Sequence, residues 1–280
     1  MTERRGASDT PPPQAPLSRA PEGGSAPAPP EPSPREIDAW MYELTARLAH
    51  DMRAPLGAIR MWSHVLRTGR EADRPAALDA IEASTDGLSD HMAFLADVTR
   101  AVVGRLPVEK QRCDLVSIFR QGVETAAREL ARRIVKVDLQ VALADDDPLW
   151  LEGDPARLRR AFSCLVAAAG AFTAAEGTVI ARLTTVGGPG PSRAAVFTVR
   201  APGACVDEVE VKHLFTPYHP GKADLGHARP DFGLGPVFAR CVARMYGGDV
   251  YGAKEDDDEG ALVFTARLFL RAPVPLGAAG

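Results

Sequence analysis

Two long runs in the first third of the chain leave little freedom in how it can fold. From Arg35 to about Thr68 glycine appears only at Gly57, and apolar residues recur at Ile37, Met41, Leu44, Leu48, Met52, Ile59, Trp62 and Leu66. Steps of three and four place them along one side of a helix. The segment TGREADRP breaks the pattern, and a second helix is predicted from about Pro75 to Val103 through Leu78, Ile81, Leu88, Met92, Leu95 and Val98. Two such helices joined by a short turn form a hairpin. Each buries only one face in that pair, so the seam left over calls for a second copy, a four-helix bundle and hence a homodimer.

The sequence on either side of the hairpin has a different texture. Residues 1–34 hold 10 of the 24 prolines, with Met1 and Leu17 almost the only large apolar side chains. Burial cannot offset the ordering entropy of such a stretch, which reads as a disordered, partly polyproline-like tail. A flexible linker is the first reading and a partner-docking segment the alternative. After Leu106 and Pro107, Leu115–Leu130 and Arg157–Ala171 read as helices and Ile134–Leu143 as a strand. Further strands are predicted at Thr178–Thr184, Ala195–Val199, Asp249–Ala253 and Ala261–Leu270. A helix from Pro236 to Tyr246 is bounded by an N-terminal proline and by Gly247 and Gly248. The expected class is α+β: a dimerising hairpin over 35–106, an α/β unit over 107–271 and a flexible tail over 272–280.

Charge and composition narrow the partners. A formal net charge of -4 and a pI of about 5.9 provide no basic field for nucleic acid or an anionic membrane, and neither is expected as a partner. There is no run of about 18 apolar residues, and MTERRGASDT lacks the apolar stretch of a secretory signal, so a cytoplasmic location is expected. Cys113, Cys164, Cys205 and Cys241 form no CxxC pair and read as reduced packing residues, with no metal site implied. His64, His91, His213, His219 and His227 lack the spacing to gather around a metal, and the acidic run Glu255–Glu259 reads as a solvated turn.

Chemistry concentrates in ELTARLAHDMRAPLGAIR, Glu43–Arg60, inside the first helix. His50 lies two residues from both Leu48 and Met52 and should project away from the seam, with Arg53 and Ala54 on its own face. A carboxylate at Asp51 could accept a hydrogen bond from one ring nitrogen and leave the other with a free lone pair, the state a nucleophile at phosphorus needs. Pro55 cannot donate to the carbonyl of Asp51, so a bend is expected just beyond the histidine.

His50, Asp51, Arg53, Pro55 and Leu56 resemble the H-box of sensor histidine kinases, whose first helix carries the phosphorylated histidine. The likeness extends over roughly 37–271. GDPARLRRAF, Gly153–Phe162, resembles the approach to the family's N-box, and Phe215 and Tyr218 in HLFTPY resemble its F-box. FGLGPVFARCVARMYGGDV, Phe232–Val250, is similar to its second glycine box with the following helix and strand, and EGALVFTARLFL fits its closing strand. The resemblance implies the histidine-kinase type of ATPase sandwich after the hairpin, a response-regulator receiver domain as partner, and catalytic roles for His50, Asp51 and Arg53.

Several positions depart from the family pattern. The N-box asparagine expected to hold Mg²⁺ aligns with Ala168, the asparagine one turn earlier with Cys164, and the basic residue near the phosphates with Ala171. In the first glycine box, Ala201–Cys205, the carboxylate that reads adenine aligns with Ala201, and Gly203 alone remains of the two glycines. Each hydrogen bond lost to a buried polar group costs on the order of 1–3 kcal/mol, so these losses together weaken nucleotide binding by roughly 10³ or more. Gly203, Gly233 and Gly235 are the candidates for a residual nucleotide pocket, and ATP with Mg²⁺ is a cofactor only if that pocket still works.

Ala54, the fourth residue after His50, stands where bifunctional members often carry threonine or asparagine and has no group to orient a hydrolytic water. Feeble phosphatase activity follows. The leading expectation is phosphoryl exchange through His50 with receiver aspartates. An active ATP-dependent autokinase and a non-catalytic dimeric scaffold are the alternatives.

Overall fold

The computed structural model describes residues 34–143, 149–187, 193–204, 206, 208–215, 233–255 and 260–270. In the helices, the side chains of residues 34, 36–41, 43, 44, 46–48, 50, 51, 209 and 212 are also outside that description. Expectations for residues 1–33, Cys205, Tyr218, His219, His227, the acids at 256–259 and the tail from 271 therefore fall outside the described residues.

Helix α1, Pro34–Thr68, runs unbroken through Pro55. A 3-10 turn at Glu71–Asp73 leads into α2, Arg74–Val102, which packs along α1. Met52, Ile59, Trp62 and Leu66 on α1 and Ile81 and Leu88 on α2 are half-buried, and Ala77 is fully buried. Leu78 and Met92 depart from the predicted seam, since each is 56% exposed. One hairpin covers too little area to bury both flanks of its helices.

The lower end of α2 packs on the rest of the chain. Phe94 and Val98 are buried, with Phe94 edge-on to Phe238 at 5.5 Å between centroids and the Arg160 guanidinium 4.6 Å from the Phe94 ring centre. Arg157 Nη1 donates to Asp97 Oδ2 beside them.

A short strand β1, Gln111–Asp114, precedes α3, Leu115–Ala131. Then follow β2, Lys136–Ala142, β3, Trp150–Gly153, and α4, Pro155–Phe172. Strands β4, Thr178–Val186, and β5, Ala194–Ala201, lead to a short α5, Glu208–His213. Helix α6, Gly235–Met245, and strands β6, Asp249–Lys254, and β7, Leu262–Phe269, complete the unit. The main sheet has the order β2-β4-β5-β7-β6, with β2 parallel to β4 and the other pairs antiparallel, while β1 and β3 form a separate antiparallel pair.

Register explains why one sheet face is the core. Ala181 pairs with Val199, Val199 with Phe264, Leu183 with Phe197 and Phe197 with Ala266, so buried residues align row by row under the helices. Arg182, Thr198 and Thr265 form the opposite face. Phe119, Phe162 and Phe197 pack edge to face with centroids 4.8–5.8 Å apart and tie α3, α4 and β5 together.

Helices α3 and α4 approach closely at two glycines. A Cβ on Gly122 would lie 2.7 Å from the Arg159 carbonyl oxygen, and one on Gly170 would lie 2.3 Å from Leu130 Cδ2. The last turn of α6 has a similar demand: Gly247 has φ +73°, and a Cβ on Gly248 would meet the Arg267 carbonyl oxygen at 1.6 Å.

One expected boundary is displaced. Ile134 was predicted to begin a strand, yet it lies at φ +60° in the turn that closes α3, and β2 begins at Lys136. The N–H of Val135 bonds to the Leu130 carbonyl at 3.2 Å, which fixes that left-handed step. Ile134 is 63% exposed and gains little burial to offset the strain its β-branched side chain suffers there. Replacing it by glycine should raise unfolding stability by about 0.5–1 kcal/mol, after the larger unfolded-state entropy of glycine is counted. Chemical denaturation of Ile134→Gly against the parent checks this, and a lowered midpoint would contradict it.

Candidate functional site

The backbone of His50 and Asp51 lies within α1, while their side chains are outside the described residues. Arg53 and Ala54, one turn further on, are exposed, and Pro55 is half-buried. Every position of the sequence motif that the structure describes thus lies along one uninterrupted helix.

The second element is the start of α4. Asp154 caps it, its Oδ1 accepting from the N–H groups of Ala156 and Arg157 at 3.0 and 3.1 Å. Oδ2 accepts from the N–H of Glu109 at 3.1 Å, which ties the connecting segment after α2 to the same carboxylate. The Asp154 N–H in turn donates to Tyr246 Oη at 2.9 Å, at the end of α6. Burial pushes the Tyr246 phenol above its ordinary pKa, so it is neutral and keeps this acceptor role through physiological pH. Cys113 Sγ donates to the Gly153 carbonyl at 3.1 Å, and burial likewise raises that thiol. Sequence reading took Cys113 for packing alone. The β1 and β3 strands that create this contact are too short to show a period.

From Cys164 to Phe172, α4 reads CLVAAAGAF and carries no side-chain oxygen. Cys164, Ala167 and Ala168 are buried in the continuous core, with Ala168 8% exposed. The next hydroxyl, on Thr173, donates back to the Ala169 carbonyl at 3.0 Å. Arg133 Nη1, from the turn after α3, donates to the Gly170 carbonyl at 3.2 Å. These side chains offer a divalent cation no ligand.

Helix α4 packs against both β5 and α6, the elements next to which the remaining candidates fall in the chain. Ala201, at the end of β5, is fully buried and presents only a methyl group. Gly203 follows at φ +65° with open space where a Cβ would stand, and Gly233 has φ +70° two residues before α6. Gly235 is the first residue of α6 and is buried. Phe215 is buried edge-on to Phe264 at 5.8 Å and lies under Arg240. Burial raises the pKa of Asp249, but hydrogen bonds from Arg240 and Arg244 outweigh it and hold that carboxyl below its usual range.

No protein-family model matches the chain. It is similar to the sensor protein GacS of Pseudomonas syringae pv. syringae, 27% identical over 223 residues that cover 78% of this chain and 24% of that protein. It is also similar to the sensory/regulatory protein RpfC of Xanthomonas campestris pv. campestris, 27% identical over 233 residues covering 82% of this chain and 31% of that protein. These similarities support the sensor histidine kinase family for the chain. It spans 24–31% of the length of these two relatives.

Two solved histidine kinases share the fold. Full-length ShkA in complex with AMPPNP superposes with a TM-score of 0.55 at 21% identity, over 85% of this chain and 48% of that one. Histidine kinase ThkA in complex with the response regulator TrrA gives a TM-score of 0.50 at 18% identity, over 84% and 64% of the two chains. Among the described residues no helix is long and apolar enough to cross a membrane.

Within this histidine kinase fold, the Asp154–Tyr246 bond positions the start of α4. Tyr246→Phe leaves the buried Asp154 N–H without its acceptor and should cost about 1–3 kcal/mol of stability. Thermal unfolding of the variant checks this, with an unchanged midpoint as the contradicting result.

Proposed function

We propose that this chain is a two-component phosphotransfer protein that carries a phosphoryl group on His50 and works without an effective ATP site. The observation that supports it is the stretch Cys164–Phe172 of α4, which has no side-chain oxygen for Mg²⁺, in a chain whose H-box residues are intact. Ala201 removes the adenine-reading carboxylate as well. The unit over 107–271 then serves for docking and for supporting the dimer, and the hairpin over 35–106 carries the chemistry. The ThkA–TrrA complex, a histidine kinase bound to its response regulator, supports a response regulator as the partner class.

In the transfer step, the lone pair on one His50 ring nitrogen attacks the phosphorus of a receiver aspartyl phosphate. The N–P bond forms as the P–O bond to the carboxylate breaks, and the electron pair leaves with the carboxylate. Asp51 holds the proton on the other ring nitrogen and stabilises the ring as it gains positive charge. A divalent cation bound in the receiver screens the phosphoryl oxygens, and none is required from this chain. The reverse step returns the group, while Ala54 leaves the hairpin without a side chain to direct water. Two hairpins join in a four-helix bundle, as Leu78 and Met92 at 56% exposure favour.

The reading is tested with receiver domains phosphorylated on aspartate by a labelled small-molecule donor. Acid-labile label should move to this chain and be abolished in His50→Ala. Label that persists in His50→Ala would defeat the assignment of the histidine. If no receiver labels the chain but complexes form equally well with His50→Ala, the protein is a scaffold.

A further inference from the structure

The short ribbon of β1 and β3 turns one face away from the core. Cys113, Leu151 and Gly153 fill its inner side, while Arg112, Trp150 and Glu152 stand on the outer side and are exposed. Trp150 is 37% exposed, and the Arg112 guanidinium lies 4.3 Å from its ring centre, opposite Glu152 in the strand register. Among the described residues, the Trp150 indole N–H, the Arg112 guanidinium and the Glu152 carboxylate have no hydrogen-bond or ion-pair partner. The ribbon therefore presents an aromatic platform, unused donors and one unused carboxylate side by side.

This combination fits a proline-rich segment. A polyproline II strand makes no internal hydrogen bonds, so its carbonyls are open to the indole and guanidinium donors, and each proline adds an acceptor without a donor. Its rings pack on aromatic side chains, and the preset φ of proline limits the entropy lost on docking.

The chain carries such a segment ahead of α1, in PPPQAPLSRAP, residues 11–21. At three residues per turn, Pro13, Pro16 and Arg19 fall on one edge of a polyproline II strand, about 9 Å apart. On β3, Trp150 and Glu152 are two positions and about 7 Å apart on one face, so a proline over the ring leaves Arg19 within reach of the carboxylate.

The connection is long enough and starts at a suitable place. Because α1 ends at Thr68 and α2 begins at Arg74, a residue k positions before Thr68 is level with the residue k positions after Arg74, at about 1.5 Å per residue. Val102, the end of α2, is thus level with residue 40 of α1. The start of α1 at Pro34 lies at the end of the hairpin from which the chain passes through Glu109, tied to Asp154, into β1. Residues 20–33, between Arg19 and that start, can span up to about 43 Å.

We propose that residues 13–19 dock on the outer face of the β1–β3 ribbon of their own chain, with Pro13 and Pro16 against the Trp150 ring and Arg19 paired with Glu152. Covalent attachment holds the segment at an effective concentration on the order of millimolar, so a weak contact suffices to keep the face covered. This contact assigns the proline-rich segment a docking role in place of a bare linker.

The test reads acrylamide quenching of Trp150 in the full chain, with Trp40→Phe and Trp62→Phe removing the other two tryptophans. Pro13→Ala/Pro16→Ala and, separately, Arg19→Glu should each raise the quenching constant, up to roughly twofold, as the ring opens to solvent. Arg19→Glu combined with Glu152→Arg should return it to the parent value. The tail substitutions lie outside the folded core, so loss of fold does not imitate the result. Quenching unchanged by every tail variant would overturn the proposal, as would failure of the reversed charge pair to restore it. A parent value that falls as protein concentration rises would place the segment on a second copy and overturn the intramolecular contact. Unchanged quenching in the variants, together with a drop on adding a synthetic peptide of residues 11–21, would assign the face to a proline-rich partner and overturn it too.

Discussion

The close approach of α3 and α4 is the constraint on which the α/β unit depends. Gly122 and Gly170 let the two helices lie where any Cβ would collide with the Arg159 carbonyl oxygen or with Leu130. That approach draws Phe119 and Phe162 onto Phe197 of β5 and buries α4 under the sheet. A helix packed this tightly accommodates small or apolar side chains at least cost, and Cys164, Ala167, Ala168 and Ala169 meet that demand. The same small residues leave the stretch Cys164–Phe172 without a side-chain oxygen to offer a metal-bound phosphate. Packing and the proposed loss of nucleotide chemistry are therefore two readings of one stretch of sequence.

The hairpin is joined to this unit at a defined height. By the level rule, residue 50 of α1 is opposite residue 92 of α2, about one helical turn from Phe94 and Asp97. Phe94 packs on Phe238 and Arg160, and Asp97 accepts from Arg157, so the second unit is docked close to the level of His50. The Asp154 carboxylate holds both the N-terminus of α4 and the Glu109 N–H of the connecting segment, which couples that segment to the docking helices.

Long periodic elements were legible in the sequence because burial on one face writes itself as a repeat. Both hairpin helices, α3, α4, α6 and the five strands of the main sheet were found within a few residues of their bounds. The strands β1 and β3, four residues each, are too short to show alternation, and the six residues of α5 make under two helical turns. Ile134 was misread because a β-branched residue signals a strand locally, while the closing turn of α3 overrides that preference. The H-box and the substitutions at Cys164, Ala168 and Ala201 were visible as residue types. The Asp154–Tyr246 bond, spanning 92 positions, and the edge-on contact of Phe94 with Phe238 arise from tertiary placement that no local pattern encodes.

The central claim is that the site beside α4 has lost its metal-dependent grip on nucleotide while the histidine helix keeps its chemistry. Titration calorimetry of the full chain with ATP, in the presence and absence of Mg²⁺, tests it most directly. The account predicts heat too weak to fit a micromolar site and no gain on adding Mg²⁺. Tight binding that strengthens with Mg²⁺ would contradict it.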